Sequence, residues 1–228
     1  MIAFGRFLEL SLPAANVLES LGFYRSLGFA ECATGDIRRW HYAVVTDGQV
    51  CIGLHGAGVE EPTLSFVRPG LAPHVAELAQ RGHDIEWQQL GPDDFHEAAL
   101  RAPDGHLIRM MEARTFSPGE PPATGPLGAM GTEVAIHCRD FSTAAGYYES
   151  AGFLPLEPGA ALSRRLQAPG LVIALSEGAG PAGCALRFRC RDPDRTAQDL
   201  KSRDFLVRSG PGGFELRAPE GTRLLLEG

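Results

Sequence analysis

An internal repeat constrains this chain more than any other feature of its sequence. Residues 9–29, ELSLPAANVLESLGFYRSLGF, align without a gap with residues 133–153, EVAIHCRDFSTAAGYYESAGF. Both stretches read as a strand, a turn and a helix that ends at Gly-Phe. The alignment places Glu9 on Glu133, so a charged residue recurs inside an otherwise apolar strand. A chain of 228 residues that contains two such copies has room for two tandem domains of similar fold.

The repeat continues to the end of each half. RAPDGHLIRMME at 101–112 matches RAPEGTRLLLEG at 217–228. Between the two halves, residues 113–129 are dense in proline and glycine and poor in apolar residues. That composition is typical of a linker. The sequence therefore predicts a first domain over 1–113, a linker over 114–129 and a second domain over 130–228.

Each predicted domain is itself doubled. Helical patterns at 16–27 and 72–82, and again near 141–151 and 193–203, are each preceded by one strand and followed by three short strands. The order is strand, helix and three strands, βαβββ, twice in each half. We therefore predict an α+β protein of two tandem domains, each built from paired βαβββ modules.

The alternation of residues along the strands assigns a polar and an apolar face to each sheet. In the first strand Leu8, Leu10 and Leu12 share one face, and Glu9 and Ser11 share the other. The face opposite the apolar one carries, in the first half, Glu9, Ser11, Thr63, Ser65, Leu107, Arg109 and Met111. In the second half it carries Glu133, His137, Arg187, Arg189 and Arg223. These faces are the candidate binding surfaces, and His55, on a strand, is a further candidate in the first.

Composition excludes several classes of partner. The formal net charge of −7 argues against nucleic acid or an anionic membrane as the main binding partner, since both bind to positively charged surfaces. The N-terminal MIAFGRFLEL lacks the apolar core of a signal peptide. The five cysteines are odd in number and show no CxxC spacing, which favours free thiols in a reducing compartment. We expect a cytoplasmic protein.

FYRSLGF at 23–29 and APDGHLIR at 102–109, each with a counterpart in the other half, resemble the two commonest signatures of the vicinal oxygen chelate superfamily. This superfamily includes glyoxalase I, bleomycin-resistance proteins and extradiol dioxygenases. The resemblance covers nearly the whole chain and implies mixed sheets that curl around a cleft in each domain. Tyr24 and Tyr148 belong to the motif and are expected to pack structurally on their helices.

The resemblance also implies where a metal would bind. Metal-dependent members carry one ligand on each of the first, fourth, fifth and eighth strands of a domain. In the first half these positions fall on Glu9, Gly53, Thr63 and Arg109, with His55 two residues beyond Gly53. In the second half they fall on Glu133, Ala174, Ala185 and Leu225. Because a site of this kind needs about three suitable ligands, the sequence predicts no metal and no other cofactor. An ion pair between Glu9 and Arg109 is expected where the metal would lie.

These observations favour a metal-independent protein that binds a small amphipathic organic ligand in the first-domain cleft. Glu9, Ser11, His55, Thr63, Ser65, Leu107, Arg109 and Met111 would line that cleft. The alternative is a lyase, isomerase or dioxygenase of the same superfamily that uses Glu9 as a base or metal ligand. In a third interpretation the second domain is a degenerate copy that serves as a fold partner for the first. We expect the charges on its polar face to pair across the domain interface; the alternative is that they bind an anion. We expect a monomer or a weak homodimer.

Overall fold

The computed structural model describes residues 3–33, 40–113, 125–157, 163–178, 184–210 and 212–228. Two open eight-stranded sheets account for most of them, one from each half of the sequence. The predicted α+β class and the βαβββ modules are confirmed. The curl of the sheets around a cleft stays a prediction. None of the described helices has the length and apolar character that crossing a membrane requires.

The first half contains ten of the elements. They are β1 (Arg6–Pro13), α1 (Val17–Leu27), β2 (Ala30–Cys32), β3 (Tyr42–Thr46), β4 (Cys51–His55), β5 (Thr63–Arg68), α2 (Leu71–Gln80), β6 (Ile85–Gln89), β7 (Glu97–Arg101) and β8 (Leu107–Glu112). The second half repeats this order after a 3-10 turn at Pro126–Gly128. Its elements are β9 (Ala129–Cys138), α3 (Phe141–Ser150), β10 (Leu154–Pro155), β11 (Ser163–Ala168), β12 (Leu171–Glu177), β13 (Cys184–Cys190), α4 (Pro193–Ser202), β14 (Arg208–Gly210), β15 (Gly213–Arg217) and β16 (Arg223–Glu227).

The two sheets have the same strand order. It runs β2-β3-β4-β1-β5-β8-β7-β6 in the first sheet and β10-β11-β12-β9-β13-β16-β15-β14 in the second. β1 and β5 are antiparallel, whereas β5 and β8 are parallel. The first and last strands of a module thus lie near the middle of each sheet. This order places the polar residues of β1, β5 and β8 side by side.

Cap residues explain where the repeated helices begin and end. Asn16 and Asp140 precede α1 and α3, and each side chain accepts a hydrogen bond from a backbone N–H in the first turn. After the helices Gly28 and Gly152 have φ angles of 99° and 95°. These left-handed values favour glycine, which accounts for the Gly-Phe that ends both copies of the repeat.

The chain forms two compact units, and each unit takes segments from both halves of the sequence. One unit is Met1–Ser11, Glu61–Pro118 and Ile136–Gly183. The other is Leu12–Glu60, Gly119–Ala135 and Cys184–Gly228. The predicted domain boundaries at 113 and 130 stay a prediction, and most of the predicted linker, 114–124, lies outside the described residues.

A hydrogen bond between a tyrosine and a carboxylate joins the two sequence halves in the first unit. Tyr148 on α3 is fully buried, and its hydroxyl donates to Asp104 Oδ2 at 2.9 Å. The backbone N–H of His106 donates to the other oxygen of Asp104 at 3.0 Å. Burial favours a neutral Asp104, but the hydrogen bonds from His106 and Tyr148 outweigh it and hold the Asp104 pKa below its ordinary value.

The second unit contains the counterpart of this bond. Tyr24 on α1 is fully buried, and its hydroxyl donates to Glu220 Oε1 at 2.7 Å. Ser20 donates to Glu220 Oε2 at 2.7 Å. Burial first, and the charge of Glu220 second, raise the pKa of Tyr24 well above its ordinary value. Both repeated tyrosines were expected to have a structural role. In the structure, each one is buried and holds a carboxylate from the other half of the chain.

Replacing Tyr148 by phenylalanine should destabilise the protein by about 1–3 kcal/mol, because Asp104 loses a donor while its side chain stays buried. Tyr147→Phe is the matched control. The Tyr147 hydroxyl is buried and has no hydrogen-bond partner among the described residues, so its removal should leave stability unchanged or raise it. Urea unfolding of the two variants measures the difference. Equal losses in both would show that the Tyr148–Asp104 bond contributes nothing.

Candidate functional site

The polar face of the first sheet lies on three neighbouring strands of the first compact unit. Register places Glu9 of β1 opposite Ser65 of β5, and Ser65 beside Arg109 of β8. Thr63 lies beside Leu107 in the same way. The residue alternation that assigned these side chains to one face is therefore consistent with the pairing of the strands. We call Glu9, Ser11, Thr63, Ser65, Leu107, Arg109 and Met111 the first polar face.

A chain of hydroxyl groups fixes the carboxylate on this face. Ser11 Oγ donates to Glu9 Oε1 at 2.7 Å and lies 2.7 Å from Ser65 Oγ. Glu9, Ser11 and Ser65 are 2%, 1% and 0% exposed, so the chain is shielded from solvent. A hydrogen bond to a charged acceptor is stronger than one between neutral groups, and a shielded one is strengthened further. The arrangement holds the Glu9 carboxylate in one orientation.

Other members of the first polar face are less available to a ligand or a metal. Thr63 is 3% exposed, and its hydroxyl donates to the backbone carbonyl of Glu61 at 2.9 Å. Met111 is 4% exposed, whereas Leu107 is half-buried. The solvent-accessible part of the first polar face therefore begins at Leu107 and continues toward β7 and β6.

The expected ion pair between Glu9 and Arg109 does not form directly among the described side chains, and a water-bridged pair stays a prediction. Arg109 Nε donates to Glu97 Oε2 on β7 at 2.9 Å, and its terminal nitrogen Nη2 also contacts that oxygen. Glu9 and Arg109 lie two strands apart, which separates their backbones by about 10 Å. Arg109 extends in the opposite direction, toward the neighbouring strand, where its carboxylate partner is much closer.

Two residues outside the predicted polar face lie beside Arg109. Glu97 is its partner, and Trp87 on β6 lies with its ring centroid 6.0 Å from the guanidinium carbon. Trp87 is 39% exposed, so its aromatic ring presents apolar surface to solvent next to the Arg109 guanidinium, which Glu97 holds in place. EAALR shows no polar–apolar alternation that would mark Glu97, and nothing in the local sequence joined it to Arg109. Arg109, Glu97 and Trp87 are called the Arg109 cluster below.

His55 belongs to the second compact unit. It ends β4, is 1% exposed and packs against the Tyr42 ring, with 4.6 Å between ring centroids. β3 and β4 place these two residues opposite each other in register. The inclusion of His55 in one binding site with the first polar face stays a prediction.

Charges predicted on the second sheet pair with one another. Arg187 Nε lies 3.2 Å from Glu227 Oε2, and its Nη1 lies 3.9 Å from Glu133 Oε2. Arg223 donates to Glu215 at 3.0 Å. These pairs form within the second sheet itself. The expected pairing across the domain interface therefore stays a prediction, and the charges that are described here pair within one sheet.

His137 and Arg189 complete the polar face that was predicted for the second half. His137 Nδ1 lies 2.9 Å from the Ser176 hydroxyl and belongs to the other compact unit from Arg187. Arg189 is half-buried on β13, two residues beyond Arg187. The structure therefore brings together Glu133 and Arg187 and leaves His137 with Ser176.

The residues at the superfamily's metal-ligand positions do not fit a divalent cation. In the first half, Arg109 brings a positive charge and is already bonded to Glu97. The Thr63 hydroxyl is committed to a backbone carbonyl, and the position on β4 is a glycine. Within the described parts of the chain, no three His, Cys, Asp or Glu side chains form a group able to hold a metal. Glu9 supplies the one carboxylate of the four positions, whereas metal sites of this type need about three ligands.

Solved structures match nearly the whole chain. The Mn(II)-bound glyoxalase from Novosphingobium aromaticivorans matches with a TM-score of 0.67 and 12% identity, over 99% of this chain and 82% of that chain. The chain has the fold of the vicinal oxygen chelate superfamily. A catechol 2,3-dioxygenase matches with a TM-score of 0.62 and 14% identity, over 98% and 87% of the two chains. The 2,3-dioxygenase LapB from Pseudomonas sp. KL28 matches with a TM-score of 0.64 and 15% identity, over 97% and 91%.

The superfamily resemblance predicted from the repeated motifs is thus confirmed at the level of the fold. No protein-family model matches the sequence, and no curated protein matches it significantly. Matches at 12–15% sequence identity establish a shared fold, but they do not establish a shared reaction or ligand. Function must be argued from the side chains of this protein.

A double-mutant cycle should locate the partner of Arg109. We expect a coupling energy of about 1–3 kcal/mol between Arg109→Met and Glu97→Gln, because the two side chains are only 10% and 19% exposed. Arg109→Met and Glu9→Gln should be nearly additive by the same measurement. Urea unfolding of the single and double variants gives both energies, and strong coupling to Glu9 with none to Glu97 would contradict this geometry.

An ion pair at the end of β8 should make stability depend on pH. His96 Nδ1 lies 2.6 Å from Glu112 Oε2, and this bond, helped by the Gly91 carbonyl, raises the pKa of His96. Because the pKa of His96 is higher in the folded protein than in the unfolded chain, protonated His96 stabilises the folded state. This contribution is complete below the unfolded-state pKa of about 6.5, and it is lost as the pH rises through the folded-state pKa. The stability gap between wild type and His96→Gln should therefore shrink between about pH 6 and pH 9. A gap that is constant across this range would show that the charge of His96 is irrelevant.

Proposed function

We propose that this protein binds a small amphipathic organic ligand without a metal, on the first polar face and the Arg109 cluster beside it. The observation that carries the proposal is the Arg109–Glu97 pair. An arginine at the eighth-strand position, held by a carboxylate, offers fixed donors where metal-dependent relatives need an anionic ligand.

The surroundings of the pair suit an amphipathic ligand. Trp87 provides an exposed aromatic surface, and Leu107 provides a half-buried apolar one. Arg109 and Glu97 supply a donor and an acceptor between them. Binding sites for small organic molecules combine apolar walls with a few placed polar groups of this kind. The buried chain of Glu9, Ser11 and Ser65 lies on the adjacent strands, where Ser65 is the register neighbour of Arg109.

Metal independence follows from the unsuitable donor set and is tested directly. Purified protein should contain much less than one equivalent of iron, nickel, zinc, manganese or cobalt by elemental analysis. Glu9→Ala should leave that content unchanged. Stoichiometric metal that disappears in Glu9→Ala would overturn the proposal and favour the enzyme alternative.

Ligand binding is tested with molecules that co-purify with the protein. Mass spectrometry of the wild type should identify a small organic compound that is lost from Arg109→Met. Arg208→Met, at an exposed position on β14, is the matched control and should retain it. Trp87→Phe should abolish the fluorescence change on adding the compound back, whereas Trp40→Phe should preserve it. A compound retained equally by Arg109→Met and the wild type would place the site elsewhere.

The alternative is an enzyme of the superfamily in which Glu9 acts as a base. The observation that favours it is the hydroxyl chain, because Ser65 and Ser11 could pass a proton to the Glu9 carboxylate. Turnover of the co-purified compound, lost in Glu9→Gln while binding is kept, would select this function. Binding without turnover in the wild type would select the first.

A further inference from the structure

A cavity lies in the first compact unit, and its lining residues are not members of either predicted polar face. Its volume is about 510 Å³, which is within the range of small-molecule sites. The turn after α2, the segment Arg101–Pro103 and two residues of α3, Tyr147 and Ser150, line it. None of these residues was predicted to bind a ligand, and none occupies a metal-ligand position of the superfamily fold.

Three side chains at this cavity have hydrogen-bonding capacity that is not used within the described residues. The hydroxyl of Tyr147 is buried and has no partner there. The ring of His83 contacts the Tyr147 ring edge-on, with 5.5 Å between centroids, and neither of its nitrogens has a partner in the described chain. Arg81, at the end of α2, is exposed and forms no ion pair with another described residue. Buried polar groups are normally satisfied, so the Tyr147 hydroxyl is unusual.

The protonation states of these groups define what they can bind. Burial, and then the charge of Asp104, raise the pKa of Tyr147 well above its ordinary value, so its hydroxyl remains a donor. Burial, and then the charge of Arg81, lower the pKa of His83. At neutral pH the cavity therefore presents a guanidinium, a phenol donor and a neutral imidazole, which favour an acceptor group that carries negative charge.

The other polar groups of the cavity limit the size of that charge. Arg101 is committed to Glu61, Glu86 and the Gly105 carbonyl. The Ser150 hydroxyl donates to the Tyr147 carbonyl. Asp84 adds an exposed carboxylate to the lining, which disfavours a polyanion such as phosphate. Ala102 and Pro103 supply apolar surface for the rest of a ligand.

We propose that this cavity binds a small organic monocarboxylate, whose carboxylate meets Arg81 and the Tyr147 hydroxyl beside the His83 ring. The apolar part of the ligand contacts Ala102 and Pro103. Because the rings of His83 and Tyr147 touch, a carboxylate bound at one perturbs the other. The site is independent of the ligand proposed for the first polar face.

The test follows the imidazole C2–H resonance of His83 by proton NMR in the full chain, identified by its absence in His83→Gln. Benzoate should shift it saturably and bind more tightly than acetate, because its ring adds apolar contact with Ala102 and Pro103. Arg81→Ala should weaken benzoate binding by about tenfold or more, and Tyr147→Phe by about threefold or more.

Arg25→Ala is the matched control, since Arg25 is an exposed arginine in the last turn of α1 that does not line the cavity. It should bind benzoate like the wild type. Tyr147→Phe serves as an independent probe should Arg81→Ala alter the fold. The proposal is overturned by the absence of a saturable shift, by phosphate binding more tightly than both carboxylates, or by unchanged benzoate affinity in Arg81→Ala and Tyr147→Phe.

Discussion

A hydrogen bond from a buried tyrosine to a carboxylate is the interaction on which each compact unit depends. Tyr148 holds Asp104 in one unit, and Tyr24 holds Glu220 in the other. A buried carboxylate without donors would be costly, and the phenol meets that need while its ring fills the core. Both partners come from the repeated motifs FYRSLGF and APDG, or from their counterparts, so the repeat in the sequence corresponds to a repeated contact.

Arg109 shows how this fold can change its chemistry while its backbone is retained. In register it lies beside Ser65, on the same face as Glu9, at a position where relatives with a metal need an anionic ligand. Its charge is balanced by Glu97 on the next strand. The sheet therefore accepts a cation there without burying an uncompensated charge.

Much of the fold was predictable because it rests on periodicity and on the repeat. The helix predicted at 16–27 is observed at Val17–Leu27, and the helix predicted near 141–151 is observed at Phe141–Ser150. Alternation also assigned Glu9 and Ser11 to one face, and the two are hydrogen-bonded. The partner of Arg109 was not predictable. An arginine can extend toward either neighbouring strand, and alternation assigns a face without a direction across the sheet. The position of Trp87 next to Arg109 was not predictable for a related reason, since it depends on the strand order β8-β7-β6.

The distribution of each compact unit along the chain has a consequence for synthesis on the ribosome. Tyr24 emerges early, but its acceptor Glu220 is translated 196 residues later. Tyr148, by contrast, is translated only 44 residues after its acceptor Asp104. Since a nascent chain folds as its segments become available, the unit with Asp104 and Tyr148 can close while translation continues. The unit with Tyr24 can form its tyrosine–carboxylate bond only after Glu220 has been synthesised, so it closes later than the other unit.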